Sequence, residues 1–129
     1  MNKKRIRVLL IDDEEEFANT LAERLELRGY DTKTAVSGED GLNLMNGESF
    51  DIAVLDLMMP GMNGLDTLRR IKSQTPDLPV VLLTGHGSTK EGMEGMRLGA
   101  FDYLMKPLDI KDLTLKILSA VDASDGNEK

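Results

Sequence analysis

The sequence predicts a single α/β domain built on a doubly wound parallel sheet. Five apolar runs alternate with five segments of helical periodicity, the pattern of strands joined by crossover helices. The run Phe50 to Leu55 is apolar with almost no alternation, as a central strand covered on both faces requires. A chain of 129 residues, 40% of them hydrophobic, is enough for one such core without disulfide or metal staples.

The first strand spans Arg5 to Ile11. Phe17, Ala18, Leu21, Ala22 and Leu25 follow on one helical stripe, and Gly29 is placed to end that helix. Tyr30 to Val36 is short and polar, which suits an edge strand. Ser37 caps the next helix, with Asp40 three residues on in a weak capping box, and Leu42, Leu44 and Met45 form its stripe. The third strand runs into Asp56, and Pro60-Gly61 with Asn63-Gly64 then reverse the chain. Leu65, Leu68 and Ile71 mark the third helix, and Val80 to Leu83 the fourth strand, closed by a Gly85-His86-Gly87 turn. Gly92 and Gly95 make the fourth helix, about Ser88 to Leu98, the weakest by propensity, each costing about 1 kcal/mol against alanine. Phe101 to Met105 is the fifth strand. The last helix begins near Asp109 and buries Ile110, Leu113, Ile117 and Val121. The domain is expected over residues 1–123, with 124–129 a flexible polar tail.

Composition excludes several classes. No cysteine means no disulfide, thiolate metal site or cysteine nucleophile. A net charge of −7 disfavours direct nucleic-acid binding; the one basic cluster, Lys3-Lys4-Arg5 with Arg7, leads into a strand. No apolar run is long enough to cross a membrane, and the charged start is no signal peptide, so a cytoplasmic location is expected.

The chemistry-bearing residues stand at the carboxyl ends of the strands, the edge where ligands bind in open α/β sheets. Asp12 and Asp13 end the first strand, Asp56 the third, Thr84 the fourth, and Lys106-Pro107 follows the fifth. Taken alone, Asp12 and Asp13 read equally well as acids favoured at a helix N-terminus. Set opposite Asp56 they form three crowded carboxylates that call for a cation, and Mg²⁺ (or Mn²⁺) suits oxygen ligands. Asp56 is then available as a carboxylate nucleophile, Lys106 as a point charge for phosphoryl oxygens, and Thr84 as a hydroxyl donor. Glu14, Glu15 and Glu16 read as a solvated helix face, and His86 as a loop residue outside the site.

This arrangement resembles the receiver domain of two-component response regulators, over about residues 4 to 122. The resemblance implies a flavodoxin-like (βα)5 fold with strand order 2-1-3-4-5. It implies that Asp56 accepts a phosphoryl group from a histidine kinase or phosphotransfer protein, and that Asp12, Asp13, Asp56 and the Met58 backbone carbonyl hold Mg²⁺. Thr84 and Tyr103 become the switch pair, acting on a face made by the fourth helix, fifth strand and fifth helix. The Lys106-Pro107 bond becomes a candidate cis peptide. Apolar Met58, two residues after the acceptor, implies slow self-dephosphorylation. The chain is then a signalling phosphoacceptor rather than an enzyme, with an output domain or partner protein the sequence does not name. Leu115, off the buried stripe, leaves a homodimer or partner face open.

Three other classes compete. A Mg²⁺-dependent aspartyl-phosphate phosphatase or phosphotransferase would carry its second acid two residues from the nucleophile and a substrate-covering cap; neither is present. A receiver-like interaction module that is never phosphorylated has no need of the intact set Asp12, Asp13, Asp56, Thr84 and Lys106. A nucleotide-binding module fails for want of a glycine-rich loop after the first strand.

Overall fold

The computed structural model describes residues 5–58, 63–85 and 89–126. The expected Pro60-Gly61 turn, His86 and Gly87, Lys3-Lys4 and the last three residues lie outside the described residues. Among the described residues five strands alternate with five helices: β1 (Arg7–Ile11), α1 (Glu15–Leu27), β2 (Asp31–Ala35), α2 (Gly38–Gly47), β3 (Ile52–Asp56), α3 (Gly64–Gln74), β4 (Val80–Thr84), α4 (Thr89–Arg97), β5 (Asp102–Met105) and α5 (Ile110–Gly126). The strands form one parallel sheet in the order β2-β1-β3-β4-β5, with the polar β2 at an edge.

Strand alternation divides the core between two faces. Leu9, Ile11, Ala53, Leu55 and Leu82 meet Leu42 of α2 and Leu68 and Ile71 of α3. Val8, Leu10, Ile52, Val54, Val81 and Leu83 meet Leu21 and Leu25 of α1 and Leu113 and Ile117 of α5. The central strands lack alternation because both of their faces are covered.

Local signals act largely as expected. Ser37 caps α2 by accepting from the Asp40 N–H at 3.1 Å, and Asn63 caps α3 by accepting from the Asp66 N–H at 2.9 Å. Gly29 ends α1 at φ 95°, where a Cβ is strained. The glycines of α4 have a second role besides weakening the helix. A Cβ at Gly95 would fall 2.2 Å from Leu82 Cδ1, and one at Gly92 3.1 Å from the Tyr103 ring, so the pair lets α4 lie close on the sheet. The last helix, α5, runs to Gly126. The two arginines of the basic cluster are tied to the fold. Arg5 donates to the Gly29 and Tyr30 carbonyls, and Arg7 pairs with Asp31 and Glu48. At the β2 edge the outward N–H of Thr32 donates to Glu26 Oε2 of α1 at 2.7 Å. Among the described residues no helix is long and apolar enough to cross a membrane.

Candidate functional site

Register brings the predicted residues to one level. Ile11 pairs with Leu55, so Asp12 and Asp56 are the next residues on neighbouring strands. Asp56 pairs with Leu83, and Thr84 with Met105, which places Lys106 one step beyond. The last rungs fix this edge: Asp12 N donates to Ala35 O at 3.0 Å, Leu57 N to Leu83 O at 2.9 Å, and Lys106 N to Thr84 O at 2.8 Å. The Lys106-Pro107 bond is cis.

By alternation Asp12 follows Val8 and Leu10, Asp56 follows Ile52 and Val54, and Lys106 follows Leu104, all on the α1/α5 side. Carboxylate oxygens of Asp12, Asp13 and Asp56 lie within 4.8 Å of one another. Asp12 is 0% and Asp56 2% exposed, so water screens their repulsion poorly. Asp12 divides its oxygens: Oδ1 accepts from the Glu14 N–H at 2.9 Å, as a helix-start acid does, and Oδ2 accepts from Lys106 Nζ at 3.0 Å. Lys106 Nζ also lies 3.5 Å from Asp56 Oδ2. Asp56 Oδ1 accepts from the Met58 N–H at 3.0 Å.

Electrostatics follow from this crowding. Burial, with the charge of Asp12 adding to it, pushes the Asp56 carboxyl up from 3.8 to about 6, against the lowering pull of the Met58 N–H and Lys106. Burial works against the Lys106 ammonium, but hydrogen bonds to Glu14 and Asp12 and the nearby carboxylate charges raise its pKa overall. The three-acid set thus has hard oxygen donors and excess negative charge, which fits a divalent cation. Titration with Mg²⁺ at neutral pH should raise the melting temperature by about 8 °C at 100-fold excess over Kd, equivalent to roughly 2.7 kcal/mol. Calorimetric melts of the wild-type chain and Asp13→Asn check this; an equal rise in both would show that Mg²⁺ binds elsewhere.

Thr84 and Tyr103 stand apart from this group. Thr84 is buried, and its hydroxyl donates to the Leu104 carbonyl at 3.5 Å, a long contact, rather than to Asp56. Tyr103 is half-buried on the α3/α4 side, its ring against Gly92. Two site residues escape the sequence reading. Glu14 is exposed like Glu15 and Glu16, yet its Oε1 also accepts from Lys106 Nζ at 2.9 Å. Phe17, counted only as core stripe, holds its ring centroid 4.4 Å from the same ammonium. The spacing Glu14 to Phe17, one helical turn, is the signal that was available for the pair.

A parallel α/β domain with two buried acids, a third half-buried beside them, and a lysine at its carboxyl edge is the kind of fold that handles a phosphoryl group beside a cation. The sequence model of the response regulator receiver domain matches residues 8–118, and the chain belongs to that family. Over 123 residues it is 39% identical to the transcriptional regulatory protein CpxR of Escherichia coli, covering 95% of this chain and 52% of CpxR. The chain therefore spans about half the length of that relative. A receiver domain protein from Clostridium thermocellum superposes with a TM-score of 0.88 at 37% identity, covering 93% of this chain and 97% of that one. NtrX from Brucella abortus, solved with ADP, gives a TM-score of 0.93 at 31% identity over 97% of this chain and 29% of its own.

Proposed function

We propose that this chain is the phosphoacceptor of a two-component phosphorelay, with Asp56 as the acceptor. The observation that carries this reading is the meeting of Asp12, Asp56 and Lys106 from three strands, with Nζ 3.0 and 3.5 Å from the two carboxylates. In the transfer, a carboxylate oxygen of Asp56 forms a bond to phosphorus as the P–N bond of a donor phosphohistidine breaks and its electron pair returns to the imidazole. Positioning and charge neutralisation carry most of such a reaction. Asp12, Asp13, Asp56 and the Met58 carbonyl are the residues to hold Mg²⁺, which when bound offsets charge on the phosphoryl oxygens. Lys106 supplies a second positive charge, held at the site before transfer.

The acyl phosphate adds roughly two negative charges to an edge already rich in acid. Thr84 then turns its hydroxyl toward the new oxygens, releasing the long contact to Leu104, and Tyr103 moves into the space vacated. Gly92 against the Tyr103 ring joins that motion to α4. The face so changed, α4-β5-α5, presents exposed Met93, Met105 and Leu115 to an output domain, partner protein or second copy. Incubation with acetyl phosphate and Mg²⁺ should give one adduct per chain, on Asp56, without sustained turnover. Hydrogen exchange with beryllofluoride should change protection between residues 89 and 105. Sustained turnover would favour the phosphatase or phosphotransferase reading, and no adduct the interaction-module reading.

A further inference from the structure

The Lys106 ammonium has one partner more than phosphoryl transfer to Asp56 requires. Its shortest contact is to Glu14 Oε1 at 2.9 Å, ahead of Asp12 Oδ2 at 3.0 Å and Asp56 Oδ2 at 3.5 Å. These partners pull in opposed directions. The side chains of Asp12 and Asp56 are 0% and 3% exposed, whereas that of Glu14 is 64% exposed, so it takes the ammonium from the solvent side. The ring of Phe17 adds a further contact to the same ammonium, with its centroid 4.4 Å away.

We propose that Glu14 is a positioning residue: it holds the Lys106 ammonium at the outer rim of the acid cluster and so keeps the oxygens of Asp12 and Asp56 available to a divalent cation. The inference rests on reading that cluster as the cation site. The physical reason is competition between like charges. An ammonium bound by Asp12 and Asp56 alone sits deeper, occupies the oxygens the cation needs, and repels it at short range in a poorly screened pocket. Glu14 therefore sets cation affinity through Lys106 and not as a ligand.

A double-mutant cycle on the whole chain tests this, with Mg²⁺ affinity read by calorimetric titration at about 0.15 M salt, where exposed charges beyond roughly 8 Å are screened. Glu14→Gln should weaken Mg²⁺ binding roughly two- to fivefold, the scale of one exposed ion pair. The same substitution in a Lys106→Met background should change affinity less than about 1.5-fold, since the coupling then has no carrier. Equal losses in both backgrounds would overturn the proposal and make Glu14 a direct ligand or a general charge effect. No loss in either would remove any positioning role. A second reading needs no metal: the Lys106 Nζ resonance should shift on Glu14→Gln and return most of the way in Glu14→Asp. An unmoved resonance counts against the proposal even if Lys106→Met folds poorly. Should the wild-type chain take up no Mg²⁺, the cation-site reading fails, and the resonance alone then decides whether Glu14 holds the lysine.

Discussion

Asparagine at position 56 should abolish phosphorylation and, at the same time, stabilise the fold. The Asp56 carboxyl is pushed from 3.8 to about 6, so its ionised form opposes folding at neutral pH. At about 1.4 kcal/mol per unit the cost approaches 3 kcal/mol at pH 7. The sign follows from proton binding. A carboxyl whose folded pKa is raised takes up its proton more readily when folded, so the cost is full above about pH 6 and fades as pH falls toward 4. Asp56→Asn should therefore exceed the wild-type chain by up to about 3 kcal/mol at pH 7, and by roughly half as much at pH 5. Urea denaturation at the two pH values, without divalent ions, reads the difference directly. A variant less stable than wild type at pH 7 would mean that Lys106 more than compensates the acid. Loss of the acetyl phosphate adduct in the same variant tests the acceptor assignment independently.

The second large effect is expected at Gly64, the first residue of α3. A Cβ there would lie 2.4 Å from Leu57 Cα and 2.8 Å from the Asp56 carbonyl oxygen. Both obstacles are backbone, so no side-chain rotation relieves them. Gly64→Ala should lower unfolding free energy by about 3 kcal/mol, the range of overpacking inside a closed structure. Because the displaced peptide is the one that leaves Asp56, Mg²⁺ affinity should fall too, by about tenfold. Gly47, near the end of α2, has nothing within 4 Å of its Cβ position, so Gly47→Ala is the control and should be neutral or slightly stabilising. Denaturant melts of the two variants decide it; equal stabilities would show that the start of α3 can move away without loss.

The order and type of all ten elements were legible because each signal is local or periodic. Val80 to Leu83 is apolar on both sides, Phe17 to Leu25 keeps a helical stripe, and Gly29 stands where a positive φ is needed. The end of α5 was not legible: the small and polar residues 122–126 carry no apolar stripe, yet the helix continues through them. Gly92 and Gly95 were visible as helix weakeners, but their closeness to Tyr103 and Leu82 is a tertiary fact that propensity does not contain.

The site shows the same division. Asp12, Asp56 and Lys106 were readable because parallel strands deliver their carboxyl ends to one edge, and the structure brings these three together. Thr84 was placed at the right edge, but its hydroxyl faces the Leu104 carbonyl, which only coordinates reveal. Glu14 was lost among three consecutive glutamates. What separates it from Glu15 and Glu16 is the turn into α1, closed when the Glu14 N–H donates to Asp12, which sets its carboxylate beside a lysine 92 residues away in sequence.

The carboxylate of Glu26 on the Thr32 N–H has a bearing on how copies of this domain can meet. A foreign strand laid along β2 would first have to dislodge a charged group from the donor it wants to use. Ribbon-like polymers built rim to rim are disfavoured at that margin. Assembly is then left to other parts of the surface, the α4-β5-α5 face among them.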